Sequence, residues 1–257
     1  MTVRRTDNTG MFLRRLRDEG RKAPVGESPI YLTNQYSKEF KIIEFVGSGK
    51  TVLEVGCYNG HMSLYFVANN CIVTGVEINS RLGQEAAKYC SRVVIGDIEK
   101  TETQAQIEGK YAIIVMADLL EHLVDPWKTL RVMKRFIQPN GFIVIALPNI
   151  AYFRMRLNLL LGRFNYLPKG GILESTHLRF FTLKTAKKMI EEAGYTIIRF
   201  YPAPSLARGE RLAKLPLLGR SSVVWNGTLP AFAARLMPTL FGLSLLFVVS
   251  PTREASD

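Results

Sequence analysis

The stretch Val52-Leu53-Glu54-Val55-Gly56-Cys57-Tyr58-Asn59-Gly60 joins an acid to a glycine-bearing turn. Glycines permit a tight turn and close approach of a ligand to the backbone. A pyrophosphate site asks for G-x-G-x-x-G feeding a helix N-terminus. Here the spacing is G-x-x-x-G, with Glu54 just ahead of it. An acid there repels a pyrophosphate but accepts hydrogen bonds from an ammonium group, directly or through water. The pattern favours a ligand with an amino-acid moiety and no phosphate. Three more acids, Glu77, Asp97 and Asp118, close apolar runs further along. Glu77 stands 21 residues beyond Gly56, where a doubly wound sheet offers an acid to both ribose hydroxyls. All four acids are expected at C-terminal strand ends, the rim at which open α/β sheets bind ligands.

The chain holds three histidines, His61, His122 and His177. All titrate near neutral pH, and a hydroxyl nucleophile benefits from such a base. His177 lies after the fifth strand, where substrate loops are expected, and is the preferred base or substrate ligand. His122 comes second; a buried histidine bonded to backbone is an equal reading of it. His61 reads as structural or cofactor-adjacent. No metal is expected, because neither C-x-x-C nor H-x-x-x-H spacing occurs. Neither a G-x-S-x-G elbow nor a Walker loop occurs. Arg154, Arg156, Arg163, Lys169 and Arg179 cluster around the substrate segment, as a phosphate or carboxylate would require.

These residues need elements to carry them. Thr51–Val55, Cys71–Val76, Arg92–Ile95, Tyr111–Met116 and Phe142–Leu147 are short apolar runs, as in strands covered on both faces. Helix-compatible stretches alternate with them: Gly60–Ala68, Ser80–Tyr89 with Ser80 as N-cap, and Pro126–Phe136 with Asp125 as N-cap. Pro139-Asn140-Gly141 is a turn signal closing the last of these. The rhythm implies a mostly parallel sheet with right-handed crossovers. Ala151–Phe164 places Phe153, Leu157, Leu160, Leu161 and Phe164 on one helical face. Thr182 caps a helix that ends at about Ala193, with Gly194 as its C′ residue. Thr196–Phe200 and Leu243–Val249 read as two further strands.

At this point the chain resembles the class I S-adenosylmethionine-dependent methyltransferases. Glu54, Gly56 and Gly60 fit their opening motif of an acid followed by G-x-G-x-G, while Tyr58 replaces the middle glycine. Leu120-Glu121-His122-Leu123-Val124-Asp125-Pro126 resembles the family's LEH-x-x-DP stretch, and Pro139-Asn140-Gly141 its following glycine turn. Pro148-Asn149, Leu160–Phe164 and Thr176-His177-Leu178-Arg179-Phe180-Phe181-Thr182 look like a bacterial subgroup that accompanies cell-surface glycan synthesis, alongside quinone-type methyltransferases. The resemblance covers roughly residues 30–200. It implies a doubly wound α/β fold with a seven-stranded sheet, Leu243–Val249 supplying the antiparallel strand. It implies S-adenosylmethionine as cofactor, with Glu54, Gly56, Cys57, Tyr58, Gly60, Glu77 and Ile78 around the amino acid and ribose. Asp97 and Ile98 would hold the adenine, and Ala117, Asp118 and Leu119 would line the pocket beside the methyl group. Asn149, Arg154, Arg156 and Arg179 are the implied acceptor contacts. O-methylation of a small or lipid- or nucleotide-linked anionic acceptor, such as a sugar or glycan precursor, is the expected reaction.

Of the 257 residues, 34 are basic and 22 acidic, a net charge of +12. Residues 51–150 carry 9 basic and 10 acidic side chains, so the excess lies in the flanks. Such a field attracts anionic partners, or simply solvates the surface. Three cysteines suit a reducing compartment, and no secretory signal opens the chain. The expected location is cytoplasmic; Met11–Arg17 reads first as a lid helix or terminus, with a peripheral contact at the inner membrane face as the alternative. Residues 1–48 are expected to form a helical lid or extension, and 49–257 the catalytic domain with a substrate-side insertion at about 150–181. Arg235 and Pro238 interrupt the apolar stretch Leu229–Ser250, which argues against a spanning helix. Three rivals stand beside this reading. A nicotinamide-dependent dehydrogenase shares the strand–glycine–helix opening, and a non-catalytic cofactor-binding protein is motivated by Tyr58. An RNA methyltransferase rests on charge alone, without an RNA-binding module.

Overall fold

The computed structural model describes residues 34–205 and 228–252. Met11–Arg17, read as a lid helix or a membrane contact, lies outside the described residues. Seven strands are present: β1 (Thr51–Val55), β2 (Ile72–Glu77), β3 (Arg92–Ile95), β4 (Tyr111–Ala117), β5 (Ile137–Pro148), β6 (Tyr195–Pro204) and β7 (Gly242–Pro251). They form one sheet in the order β3-β2-β1-β4-β5-β7-β6. The first five run parallel, and β7 is antiparallel to both β5 and β6. The doubly wound expectation, including the antiparallel strand, is met.

Residues along the central strands alternate between two cores because successive side chains point to opposite faces. Leu53, Val55, Ile114, Met116, Ile143 and Ile145 face one side. There they pack under α5 (Pro126–Met133) and α7 (Leu183–Glu192) through Leu130, Met133, Ala186, Met189 and Ile190. Val52, Ile113, Val115, Val144 and Ala146 face the other. They are covered by α1 (Lys38–Val46), α2 (Ser63–Ala68) and α3 (Ser80–Ala86). Ile42, Ile43 and Val46 of α1 are fully buried. The described end of the expected 1–48 extension is therefore part of the sheet's cover.

Local chemistry sets most boundaries. Asp125 accepts from the Lys128 N–H and Pro126 occupies the first turn of α5, as expected. Thr182 and Thr185 form a reciprocal capping box on α7, and Gly194 follows it at φ 78°. Three expectations are corrected. The cap of α3 is Asn79, which accepts from Leu82 N–H, not Ser80. Pro139-Asn140-Gly141 lies inside β5, at an irregularity in its pairing with β4, and does not precede the strand. A side chain at Gly141 would meet the Ala112 carbonyl at 2.8 Å, so the strand passes there only as glycine. Third, the helix after β5 is shorter than its apolar pattern: α6 spans Phe153–Leu160, and Phe153, Leu157, Leu160 and Leu161 of that pattern are exposed. The short α4 (Thr101–Ala105), α8 (Thr228–Leu236) and α9 (Pro238–Phe241) complete the described helices. Among the described residues no helix is long and apolar enough to cross a membrane.

Candidate active site

A cleft of about 940 Å³ opens at the C-terminal ends of β1 to β4. The strand order turns back at β1 and β4, and helices covering opposite faces diverge there, which leaves a crevice. Gly56 leaves β1 at φ 77°, and a Cβ on it would stand 3.1 Å from Leu119 Cδ1. Tyr58 takes φ 51°, a left-handed conformation that usually falls to glycine. Its N–H donates to Glu77 Oε2 at 2.9 Å, and the Asn79 N–H donates to Oε1 at 2.9 Å. Two backbone donors thus fix the Glu77 carboxylate and leave its other lone pairs free to accept. Asp97 accepts from the Glu99 N–H at 2.9 Å. Glu99 in turn accepts from the N–H groups of Val124 and Asp125, at 2.9 and 2.7 Å. Asp118, at φ 49°, pairs with Lys38 from α1. Burial opposes the charge on Lys38, but Asp118 and Glu39 outweigh it and hold the ammonium above the usual lysine range.

The opposite wall is built from the 3-10 turn Leu120–His122 and residues 169–177. Leu178 and Arg179 donate their N–H groups to the Glu121 carbonyl at 2.8 and 3.0 Å, stitching the two together. His122 Nδ1 lies 3.2 Å from the Thr176 carbonyl and His177 Nδ1 lies 2.8 Å from the Ile172 carbonyl. A carbonyl only accepts, so each Nδ1 carries the hydrogen and each Nε2 is left as an acceptor. The rings meet edge-on with centroids 4.7 Å apart. Burial holds the His122 pKa below the usual histidine value. The Glu121 carboxyl is held well above the carboxylate range by burial first and by Asp118 second. Burial acts in the same direction on Glu174. The Gly170 N–H and the Thr176 hydroxyl bond its carboxylate and bring it below its usual value instead.

Gly56, Tyr58, Glu77, Ile78, Asp97, Ile98, Ala117, Asp118 and Leu119 all line the cleft, as do His122 and His177. Others do not. Glu54, within β1, is buried on the face of the sheet that α2 covers, accepts from the Ser63 hydroxyl, and burial pushes its carboxyl up to about 8. An acid so enclosed does not reach an ammonium group in the cleft. Cys57 is a free thiol buried against Gly75 and Cys90, and its hydrogen bond with Cys90, with burial, raises the thiol's pKa. A Cβ on Gly60 would lie 2.9 Å from Ala86 Cα, so that glycine serves the packing of α3. Asn149 is fully buried: it donates to the carbonyls of Thr239 and Gly242 and accepts from Ala151 N–H, which leaves nothing for an acceptor. Arg156 donates to the Ala151 carbonyl, Arg179 to the Val124 carbonyl, and Arg154 lies over the Phe153 ring. None of these arginines lines the cleft; of the expected basic cluster only Lys169 does, 5.9 Å above the Tyr58 ring. Lys38, Glu121 and Glu174 were missed. Glu121 sat unassigned in the LEH stretch, and Lys38 carries no local signal, since its partner is 80 residues away.

The lining holds Glu77, Asp97, Glu99, Asp118, Glu121 and Glu174 against Lys38 and Lys169. Such a site favours a cationic ligand and disfavours a pyrophosphate. With this geometry in hand, the likeness to known proteins is informative. The family described as "Methyltransferase domain" matches residues 31–199. A ubiquinone biosynthesis O-methyltransferase of Coxiella burnetii is 30% identical over 157 residues, which take in 57% of this chain and 65% of that protein. A SAM-dependent methyltransferase from Archaeoglobus fulgidus shares the fold with a TM-score of 0.54 at 18% identity, over 94% of this chain and 93% of that one. The CcbJ methyltransferase from Streptomyces caelestis does so with a TM-score of 0.55 at 14% identity, over 93% and 96%.

Proposed function

The chain belongs to the methyltransferase-domain family, which matches residues 31–199, and from that premise we propose that it methylates a hydroxyl of a small, lipid-linked or nucleotide-linked acceptor, such as a sugar or glycan precursor. S-adenosylmethionine is the donor in this reading. The residues present fit it. Gly56 offers bare backbone, Glu77 is pre-oriented at the ribose position, and the strand-end acids Glu77, Asp97 and Asp118 face a ligand that is positively charged at both sulfur and amino group. The family membership and the acidic lining set the nicotinamide-dehydrogenase alternative aside.

One observation carries the reading: the strand-end acids and two histidines with free Nε2 atoms face each other across a single cleft. When bound, the donor supplies a methyl group already activated on a sulfonium. The protein's task is then alignment and handling of the acceptor's proton. Glu77 and Asp97 orient the donor. His177, with His122 beside it, takes hold of the acceptor hydroxyl and receives its proton. The acidic lining disfavours an anionic group inside the cleft. A phosphate or carboxylate on the acceptor would stay outside, towards Arg154 and Arg156. Phe153, Leu157, Leu160 and Leu161, all exposed on the same segment, favour an acceptor carrying a lipid.

Titration with S-adenosylmethionine, S-adenosylhomocysteine and NAD tests the donor. Both adenosyl ligands should bind and NAD should not. Incubation with methyl-labelled donor and sugar, quinol and lipid-linked acceptors tests the reaction. Donor binding without labelled product from any hydroxyl acceptor would leave the non-catalytic binding protein as the better reading.

A further inference from the structure

Glu121 is the most enclosed acid of the cleft at 1% exposure. Neither of its carboxyl oxygens has a hydrogen-bond partner beyond its own backbone N–H. Polar groups buried in this way are costly unless something in the site satisfies them. One ligand atom from each of Glu121, His122 and His177 lies within 4.8 Å of the other two. Cations held at about 2.0–2.2 Å bring their ligands to roughly 3–4 Å from one another, so small side-chain rotations suffice. The Thr176 and Ile172 carbonyls fix both imidazoles by Nδ1, which is the outer-shell support that metal-bound histidines show. Asp118 is already engaged by Lys38 and does not compete for the same position.

We propose that Glu121, His122 and His177 hold a divalent first-row transition metal whose open positions take the acceptor's hydroxyl oxygen. Two imidazoles and one carboxylate suit manganese, iron or zinc; magnesium and calcium favour oxygen ligands throughout. Three protein ligands leave positions open, as in catalytic and not structural sites. The acceptor class that follows is one with two adjacent oxygens, a vicinal diol or a hydroxy acid, able to chelate the ion. The inference rests on the proposed methyl transfer and changes its base: with His122 and His177 on the metal, neither imidazole takes the proton. The metal draws electron density from the hydroxyl oxygen, whose proton leaves to water. That oxygen forms its bond to the methyl carbon as the carbon–sulfur bond breaks, and the sulfur keeps the electron pair and departs neutral.

The full chain, stripped with chelator and dialysed, is titrated with MnCl2, ZnCl2 and MgCl2. The expected result is one saturable site for manganese and for zinc, at least tenfold weaker for magnesium. Spin-echo modulation of the bound manganese should show imidazole nitrogen. Glu121→Gln and His177→Ala should each weaken manganese binding at least tenfold and leave S-adenosylmethionine affinity within twofold, which also reports that they fold. No saturable manganese or zinc binding in a chain that still binds the donor overturns the inference, with His177 then acting directly. Binding without nitrogen modulation, or unmoved by either variant, overturns it too. Should the variants not fold, the modulation in the unaltered chain decides. Failure of the unaltered chain to bind the donor would instead count against the proposed function.

Discussion

On one wall of the cleft, Gly56, Glu77, Asp97 and Asp118 each stand within two residues of a strand's end. On the other, Glu121, Lys169, Glu174 and His177 sit on a 3-10 turn and a loop, joined by backbone bonds that span more than fifty residues. The first wall inherits its geometry from the paired sheet, where β1, β2 and β4 are each held on both sides and β3 is held by β2. The second depends on a few contacts: the two N–H bonds to the Glu121 carbonyl, the two histidine–carbonyl bonds, and Asn149 at the base of the segment. Fixed donor geometry and adaptable acceptor geometry suit a common donor and varied acceptors.

The contrast is broken most severely from the rigid side. Gly60→Val puts a β-branched residue at φ 80°, with its Cβ 2.9 Å from both Ala86 Cα and Tyr89 Cδ2. Backbone strain and overpacking together should cost about 4 kcal/mol. A thermal melt should fall by more than 10 °C and donor binding should go with it. A melt within two degrees of the parent would mean that the glycine loop is as adaptable as the opposite wall. Asn149→Ala attacks the base of the acceptor segment. It leaves the Thr239 and Gly242 carbonyls and the Ala151 N–H without their partner, at about 3 kcal/mol. The separation of the walls predicts that donor affinity at 25 °C survives this change within threefold. Equal losses in stability and in donor affinity would unite the walls.

Glu77→Ala reverses the test. Its carboxylate collects two backbone N–H groups and is proposed to take two ribose hydroxyls, so donor affinity should fall about 100-fold by titration calorimetry. Manganese binding at the opposite wall should be unmoved.

The same division explains what the sequence made legible. Apolar runs closing on an acid or a glycine mark strand ends without knowledge of the fold, so position alone places Glu77, Asp97 and Asp118 at the rim of the sheet. Glu54, expected beside an ammonium group, faces Ser63 instead, because a run of strand residues does not say which face of the sheet each side chain takes. Asn149 and the arginines were credited to the acceptor because they share a segment with His177. That segment turns most of them to backbone carbonyls instead. Glu121 and His122 are adjacent, yet His177 joins them from 55 residues away, a separation matching no ligand spacing. The apolar face of α6 is exposed; periodicity records amphipathicity but not what covers it.

Buried Glu54 gives the rigid wall a dependence on pH. Its folded-state value is about 8 against an ordinary 4.5. Between those limits the folded chain holds a proton that the unfolded chain has released, so stability declines as pH rises and levels off above 8. One unit corresponds to about 1.4 kcal/mol; with relaxation of the site, the loss should be on the order of 2 kcal/mol. Urea midpoints measured from pH 5 to 8.5 should fall, and Glu54→Gln should remove that part of the slope. Glu121, also raised by burial, supplies a share that Glu54→Gln leaves in place. An unchanged slope in the variant would mean that Glu54 is ionised, and then Ser63 is too weak a partner to account for its burial.

The smallest effect probes where the walls touch. Lys169, from the acceptor segment, lies 5.9 Å over the ring of Tyr58, which stands where the resembled motif has glycine. An exposed cation–π contact is worth about 0.5–1 kcal/mol. A double-mutant cycle of Tyr58→Leu and Lys169→Ala, read as donor affinity, should therefore give a coupling of two- to fivefold. A positive coupling would make Tyr58 the residue through which donor binding draws the acceptor segment over the cleft, and would give the departure from glycine a purpose. Strict additivity would mean that the ring only fills space. The Glu99 carboxylate, which accepts from the Val124 and Asp125 N–H groups, would then remain as a link between the walls.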